Sequence, residues 1–150
     1  LDLGYNYRMT NMQAALGCSQ LEIINKILKK RKKQMLIYKK YLSQIPGIKM
    51  RSYKNWCSPV NWLITITLSK KKIRNKLIKF LYRSGIDARP MINPVHSAHQ
   101  FKNNFAKRQF KNSTKVSENS FHLPSSVKLR ESQIRFICNK VKFFFSSKTR

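Results

Sequence analysis

Two short stretches of the sequence place hydrogen-bond donors close together in segments rich in turn-forming residues. Asn6 and Arg8 precede the first helical pattern, and Arg89 and His96 lie in a later stretch that contains two prolines. An amide N–H donates to a phosphate oxygen, a guanidinium binds a diphosphate through paired hydrogen bonds, and an imidazole donates to a hydroxyl or a phosphate. Residues of these types are thus chemically able to bind phosphate and hydroxyl groups.

Each of these four residues also has an ordinary structural explanation. Asn6 could form a turn ahead of a helix, and Arg8 could be a surface or packing residue. Arg89 could pair with Asp87 or solvate an edge strand. His96 fits a structural role as well as a binding role. The residue types alone leave both interpretations open.

No metal site or disulfide framework is predicted. His96 and His99 have a spacing that metal ligands can use, but no neighbouring Cys, Asp or Glu completes a shell. Cys18, Cys57 and Cys138 are odd in number and widely spaced, without a Cys-x-x-Cys pair. We interpret the thiols as small packing residues in a reduced, cytoplasmic protein.

Hydrophobic periodicity predicts an α+β domain with three helices and two short strands. The first helix, roughly thirty residues long, exceeds the usual globular length and should brace two regions or subunits. Residues 93–120 are polar and should form loops and short helices. In chain order the predicted elements are a helix from Thr10 or Asn11 to Ser43, a strand Trp62–Leu68, a helix capped by Ser69 and ended by Gly85, an edge strand Ile86–Met91 and a helix Glu131–Phe145.

The charge balance is strongly basic, with 32 Lys and Arg residues against 5 Asp and Glu residues and a net charge of +27. Such a balance is compatible with binding to nucleic acid. The basic residues are spread along the chain, however, and no aromatic residues alternate with them to stack bases. Solvated lysine-rich faces explain the pattern better, so nucleic acid is not the predicted partner. No apolar run is long enough to predict a membrane span.

Several landmarks occur in the same order as in a known family. They are Leu3–Ala15 with the sequence LGYNYRMTNMQAA, the pair Gln20-Leu21, Arg89-Pro90, Pro94-Val95-His96, Leu123-Pro124-Ser125-Ser126 and Gln133-Ile134. Together they resemble the C-terminal portion of the DegT/DnrJ/StrS-type sugar aminotransferases, which depend on pyridoxal phosphate. The resemblance extends over almost the whole chain.

The resemblance implies part of a fold type I transferase with a long bracing helix, a small subdomain with a short antiparallel sheet, and a C-terminal helix. Residues 1–45 would form the end of the large domain and the connecting helix, and residues 46–150 the small C-terminal α/β domain. Family members are homodimers with active sites at the subunit interface. An internal lysine carries the cofactor as a Schiff base, and an amino group, usually from glutamate, is moved to a nucleotide-linked keto sugar.

The resemblance also implies roles for particular residues. Asn6 would reach the phosphate of the partner subunit's pyridoxal phosphate, and Arg8, Arg89 and His96 would face the substrate. The family's lysine maps ahead of Gly4, so no catalytic residue is assigned and these 150 residues alone should be inactive. Two alternatives remain: a basic nucleic-acid-binding domain, and a catalytically degenerate relative with a structural role.

Overall fold

The computed structural model describes residues 2–101 and 110–147. Its first helix, α1 (Asn11–Glu22), begins with a capping box in which Thr10 and Gln13 each accept the other's backbone N–H. The second helix, α2 (Ile24–Leu42), follows directly. The prediction of one continuous helix to Ser43 is therefore wrong. The break falls at Ile23, which has φ −106° and ψ 0° and stands in a β-branched pair with Ile24 that lowers helix propensity.

A four-stranded antiparallel sheet follows these helices. Its strands are β1 (Ile48–Met50), β2 (Ile64–Leu68), β3 (Arg89–Pro90) and β4 (Ser120–Leu123), in the spatial order β1-β2-β4-β3. The family resemblance predicted an antiparallel sheet, and the alternating pattern predicted β2, which begins at Ile64 instead of Trp62. Neither predicted β1 or β4 as strands. Both are too short for alternation alone to identify them.

The register divides β2 and β4 into an apolar and a polar face. Ile64 pairs with Leu123 and Ile66 with Phe121, and all four side chains are buried in the core. Because successive side chains alternate between faces, Thr65, Thr67, Ser120 and His122 lie on the other side of the sheet. That second face is therefore lined with hydroxyl and imidazole groups.

Helix α3 (Lys71–Arg83) connects β2 to the edge strand. It ends in a Schellman motif, since Gly85 N–H donates to Tyr82 O and Ile86 N–H donates to Leu81 O, with Gly85 at φ +74°. The predicted role of Gly85 is confirmed. The prediction that Ser69 caps the start of α3 is wrong, because Lys70 occupies the N-cap position and no side chain caps this end.

The edge strand is shorter than predicted. Instead of Ile86–Met91, the strand comprises Arg89–Pro90, and the Met91 N–H adds a hydrogen bond to Ser120 O of β4. Because Pro90 has no N–H to donate, it fits the sheet edge that it occupies. Two single-turn 3₁₀ helices, Val95–Ser97 and His99–Phe101, follow it.

The last two helices complete the α+β domain. Helix α4 (Lys111–Asn119) leads into β4, and α5 (Glu131–Ser146) closes the described chain. The predicted apolar stripe of α5 is buried, and it packs against Met35, Tyr38 and Leu42 of α2. The C-terminal half of α2 is thus part of the same core as the sheet. No helix within residues 2–101 and 110–147 has the length and apolar character of a membrane span.

Candidate functional site

The N-terminal segment of the chain is exposed along its whole described length. Every residue from 2 to 23 is exposed, including Tyr7 at 89% and Met12 at 80%. Other large apolar side chains share this exposure, namely Leu3, Tyr5, Met9, Leu16 and Leu21. An apolar surface of this extent is typical of one that another part of a polypeptide covers.

Asn6 lies on this segment with its amide group available. Its Oδ1 accepts the backbone N–H of Arg8 at 3.0 Å, which forms a local turn. The Nδ2 group has no acceptor among the described residues, so two N–H donors remain unused. The turn explanation and the binding explanation are therefore compatible, because they use different atoms of the same side chain. The guanidinium of Arg8 is likewise exposed.

Arg89 forms an ion pair with Asp87 on the exposed edge of the sheet. Its Nη2 lies 2.8 Å from Asp87 Oδ2, and its Nε lies 3.1 Å from the same oxygen. The pairing that the sequence left open is therefore present. The register places Arg89 opposite His122, on the polar face of the sheet.

His96 lies in the first 3₁₀ turn with its ring held from two sides. The ring stacks on Phe110 at 4.5 Å between centroids, and Nε2 lies 3.2 Å from the Thr114 hydroxyl. These contacts orient the imidazole on the wall of a cleft of about 190 Å³. Among the predicted site residues, only His96 lies in this cleft.

The predicted site residues fall into two groups along the chain. Asn6 and Arg8 lie ahead of α1, whereas Arg89 and His96 follow α3. No hydrogen bond or ion pair in the described ranges joins one group to the other.

Sequence reasoning missed Arg74, a buried cation on the wall of the His96 cleft. Its side chain is 8% exposed, and Nη1 donates to the carbonyl oxygen of Ser117 at 3.1 Å. A signal was available, because Arg74 precedes Leu77 and Leu81 at helical spacing and so falls on the buried face of α3.

His122 is another buried polar residue, and it lies on the polar face of the sheet. Nδ1 lies 3.0 Å from Thr65 Oγ1, while Nε2 is buried and has no partner in the described structure. Burial lowers the pKa of His122, because the charged imidazolium loses hydration. Burial therefore favours the neutral form of the ring.

Comparison with known proteins shows which family this chain resembles in sequence. Residues 1–142 match the DegT/DnrJ/EryC1/StrS aminotransferase family. The chain is 34% identical to the GDP-perosamine synthase of Vibrio cholerae, over 96% of this chain and 40% of that protein. It is 28% identical to the GDP-perosamine synthase of Escherichia coli O157:H7, over 97% of this chain and 39% of that protein.

A solved structure shows the same fold. PseC of Helicobacter pylori, an aminotransferase involved in the biosynthesis of pseudoaminic acid, matches with a TM-score of 0.84 at 23% identity. The match covers 98% of this chain and 40% of that one. The chain thus spans about 40% of the length of its relatives. Because the family match runs over nearly the whole sequence, the chain belongs to the DegT/DnrJ/EryC1/StrS aminotransferase family.

Proposed function

We propose that this chain is part of a pyridoxal-phosphate-dependent aminotransferase that moves an amino group, with glutamate as donor, to a nucleotide-linked keto sugar. The observation that carries the proposal is the exposed segment of residues 2–23, in which Asn6 keeps an unused amide donor. The resemblance to two GDP-perosamine synthases supports a GDP-linked sugar as the substrate.

The residues present fit the phosphate end of the cofactor. Asn6 Nδ2 offers N–H donors from an exposed segment, and neutral donors suit a phosphate in a subunit interface. The apolar side chains around Asn6 would be covered by a second copy of the protein, so that Asn6 reaches the cofactor of the partner subunit. When bound, pyridoxal phosphate supplies the electron sink for the transfer of the amino group.

The substrate would be held by residues of the sheet edge and the following turn. We assign Arg89 and His96 to contacts with the nucleotide sugar, and Arg8 to the same loop as Asn6. The Asp87 ion pair fixes the direction of the Arg89 guanidinium, while the ring contacts fix that of His96. Both side chains are thus oriented before any ligand arrives, which lowers the entropic cost of binding.

We further propose that these 150 residues do not catalyse the transfer alone. None of the described lysines is buried, whereas a lysine that forms a Schiff base needs a lowered pKa, which burial provides. Residues 1–45 would form the end of a large cofactor-binding domain and the connecting helix, and residues 46–150 would form the small C-terminal α/β domain. The free thiols of Cys18, Cys57 and Cys138 support a cytoplasmic location.

The reverse reaction tests the proposed function. The protein translated from the complete reading frame that contains this sequence is incubated with pyridoxal phosphate, 2-oxoglutarate and GDP-perosamine. Formation of glutamate and of a GDP-linked keto sugar, detected by mass spectrometry, is the expected result. No glutamate from GDP-linked, UDP-linked or TDP-linked amino sugars would contradict the proposal.

A further inference from the structure

The cleft that contains His96 has a size and a lining that suit a small anionic group. It measures about 190 Å³ and lies between the first turn of α3, the Val95–Ser97 turn and α4. This volume is below the range of about 300–1,000 Å³ that is typical of pockets for drug-sized ligands. The cleft can therefore take one polar group of a ligand, with the remainder of the ligand lying outside it.

The strongest cationic group in the cleft is Arg74, whose charge is not paired with a carboxylate. Nε donates to Asn75 Oδ1 at 3.0 Å, and Nη1 donates to Ser117 O at 3.1 Å. None of the chain's five acidic side chains forms an ion pair with it. A buried guanidinium held only by neutral oxygen atoms keeps its full positive charge, and burial of such a charge is costly without a counter-ion.

One edge of this guanidinium is available to a ligand. Nη2 donates to no acceptor in the described structure. Among the described residues, His122 Nε2 is the only buried side-chain nitrogen or oxygen atom without a partner, so Nη2 is not itself buried. Nη2 is therefore open to the cleft that Arg74 lines. Its N–H groups can donate to an anionic oxygen that enters from solvent.

The start of α3 adds positive potential at the same place. Lys70 provides no side-chain cap, and the first turn contains no acidic residue, so the positive end of the helix dipole is not compensated. Lys71 lines the cleft and lies 2.9 Å from Glu118, which lines it as well. The wall thus carries two cations, Lys71 and Arg74, against one carboxylate, that of Glu118, whose pKa both cations lower.

We infer that this cleft is a binding site for a phosphate group, with Arg74 as its principal donor, Lys71 as a second cation and His96 as a further lining residue. A phosphate oxygen would accept from Nη2 of Arg74 and supply the direct ion pair that Arg74 does not form with any acidic side chain of the described residues. Identification of this phosphate as part of a nucleotide sugar rests on the proposed function, whereas the existence of the site does not.

The test measures binding of inorganic phosphate, GDP and GDP-mannose by isothermal titration calorimetry at constant ionic strength, without pyridoxal phosphate. Glu118→Gln removes the one negative charge in the cleft and frees Lys71, so phosphate should bind about threefold or more tightly. Glu131→Gln is the matched control, since it makes the same change in net charge on α5, outside the cleft. Arg74→Lys keeps the positive charge but loses the planar guanidinium, which can donate two parallel hydrogen bonds. This substitution should weaken phosphate binding about tenfold.

The outcomes separate this proposal from the proposed function. Tighter binding in Glu118→Gln but not in Glu131→Gln supports the site, even if Arg74→Lys fails to fold. GDP-mannose that binds more tightly than inorganic phosphate and competes with it supports the phosphate of a nucleotide sugar as the occupant, while equal affinities support phosphate from another source. Absence of phosphate binding, or equal effects of Glu118→Gln and Glu131→Gln, would overturn the site while leaving the aminotransferase assignment intact.

Discussion

Nδ1 of His122 lies 3.0 Å from the hydroxyl oxygen of Thr65, while Nε2 of the same ring is buried with no partner among the described residues. Burial lowers the pKa of His122 below its ordinary value of about 6.5. The unfolded chain therefore binds a proton at a higher pH than the folded chain does. As pH falls below about 6.5, the free energy of unfolding should decrease until His122 is protonated in the folded protein as well.

Urea denaturation between about pH 8 and pH 5.5 measures this decrease. His122→Asn should reduce it, because the buried titrating group is gone. His99→Gln removes an exposed imidazole and should leave the decrease unchanged. Glu118 and Glu131 titrate at lower pH, since hydrogen bonds from Lys71 and Arg135, respectively, lower the pKa of each carboxyl. An identical decrease in the wild type and in His122→Asn would contradict this explanation.

Tyr38 joins α2 to the segment after β4 through a buried hydroxyl. The hydroxyl donates to Pro124 O at 2.9 Å, and the side chain is fully buried. Tyr38→Phe should lower the free energy of unfolding by about 1 kcal/mol, because the packing remains and one hydrogen bond is lost. Tyr82→Phe, at an exposed position, serves as the control in chemical denaturation. Equal stability of the two variants would show that the Tyr38 hydroxyl contributes nothing.

The cysteines should differ sharply in reactivity. Cys57 is exposed, whereas Cys138 is 2% exposed and burial raises its pKa to about 12. Because the thiolate is the reactive form, a thiol reagent near neutral pH should modify Cys57 rapidly and Cys138 only after unfolding. Mass spectrometry of the labelled peptides provides the measurement. Rapid labelling of Cys138 in the folded protein would mean that α5 opens readily.

The nucleic-acid alternative predicts a different behaviour in salt. A dedicated binding domain would bind unrelated duplexes tightly, and each phosphate contact would add about −0.9 to the slope of log affinity against log salt. The aminotransferase assignment predicts only weak binding by a chain of net charge +27. Fluorescence anisotropy with two unrelated duplexes at several salt concentrations distinguishes the nucleic-acid-binding hypothesis from the aminotransferase assignment. Tight binding with a steep slope would favour the alternative.

Local patterns predicted the elements whose side chains have a strong period. The stripe of α5, the alternation of β2 and the glycine that ends α3 were all confirmed. Elements that depend on partners distant in the sequence were not predicted. Strand β4 exists because Phe121 pairs with Ile66 of β2, a contact that no local period reveals. Likewise, the exposure of Leu16 could not be foreseen, because its helical spacing is the same as that of a core residue.

The site was predicted mainly through the family resemblance. Asn6 and His96 were selected as candidates because they stand in motifs, and the structure shows which contacts their side chains make. Arg74 was missed because its helical spacing with Leu77 and Leu81 indicates a buried position but not the groups that it contacts there. Its importance depends on Ser117 and Ser120, whose carbonyl oxygens lie more than forty positions away in the sequence.

Retention of pyridoxal phosphate by Asn6→Ala, in the protein from the complete reading frame, tests the central claim most directly. Loss of the amide donor should weaken cofactor affinity about tenfold, because a hydrogen bond to a charged phosphate is lost. Asn139→Ala, at an exposed position on α5, should retain the cofactor like the wild type. Affinity for pyridoxal phosphate that is the same in Asn6→Ala and Asn139→Ala would contradict the account.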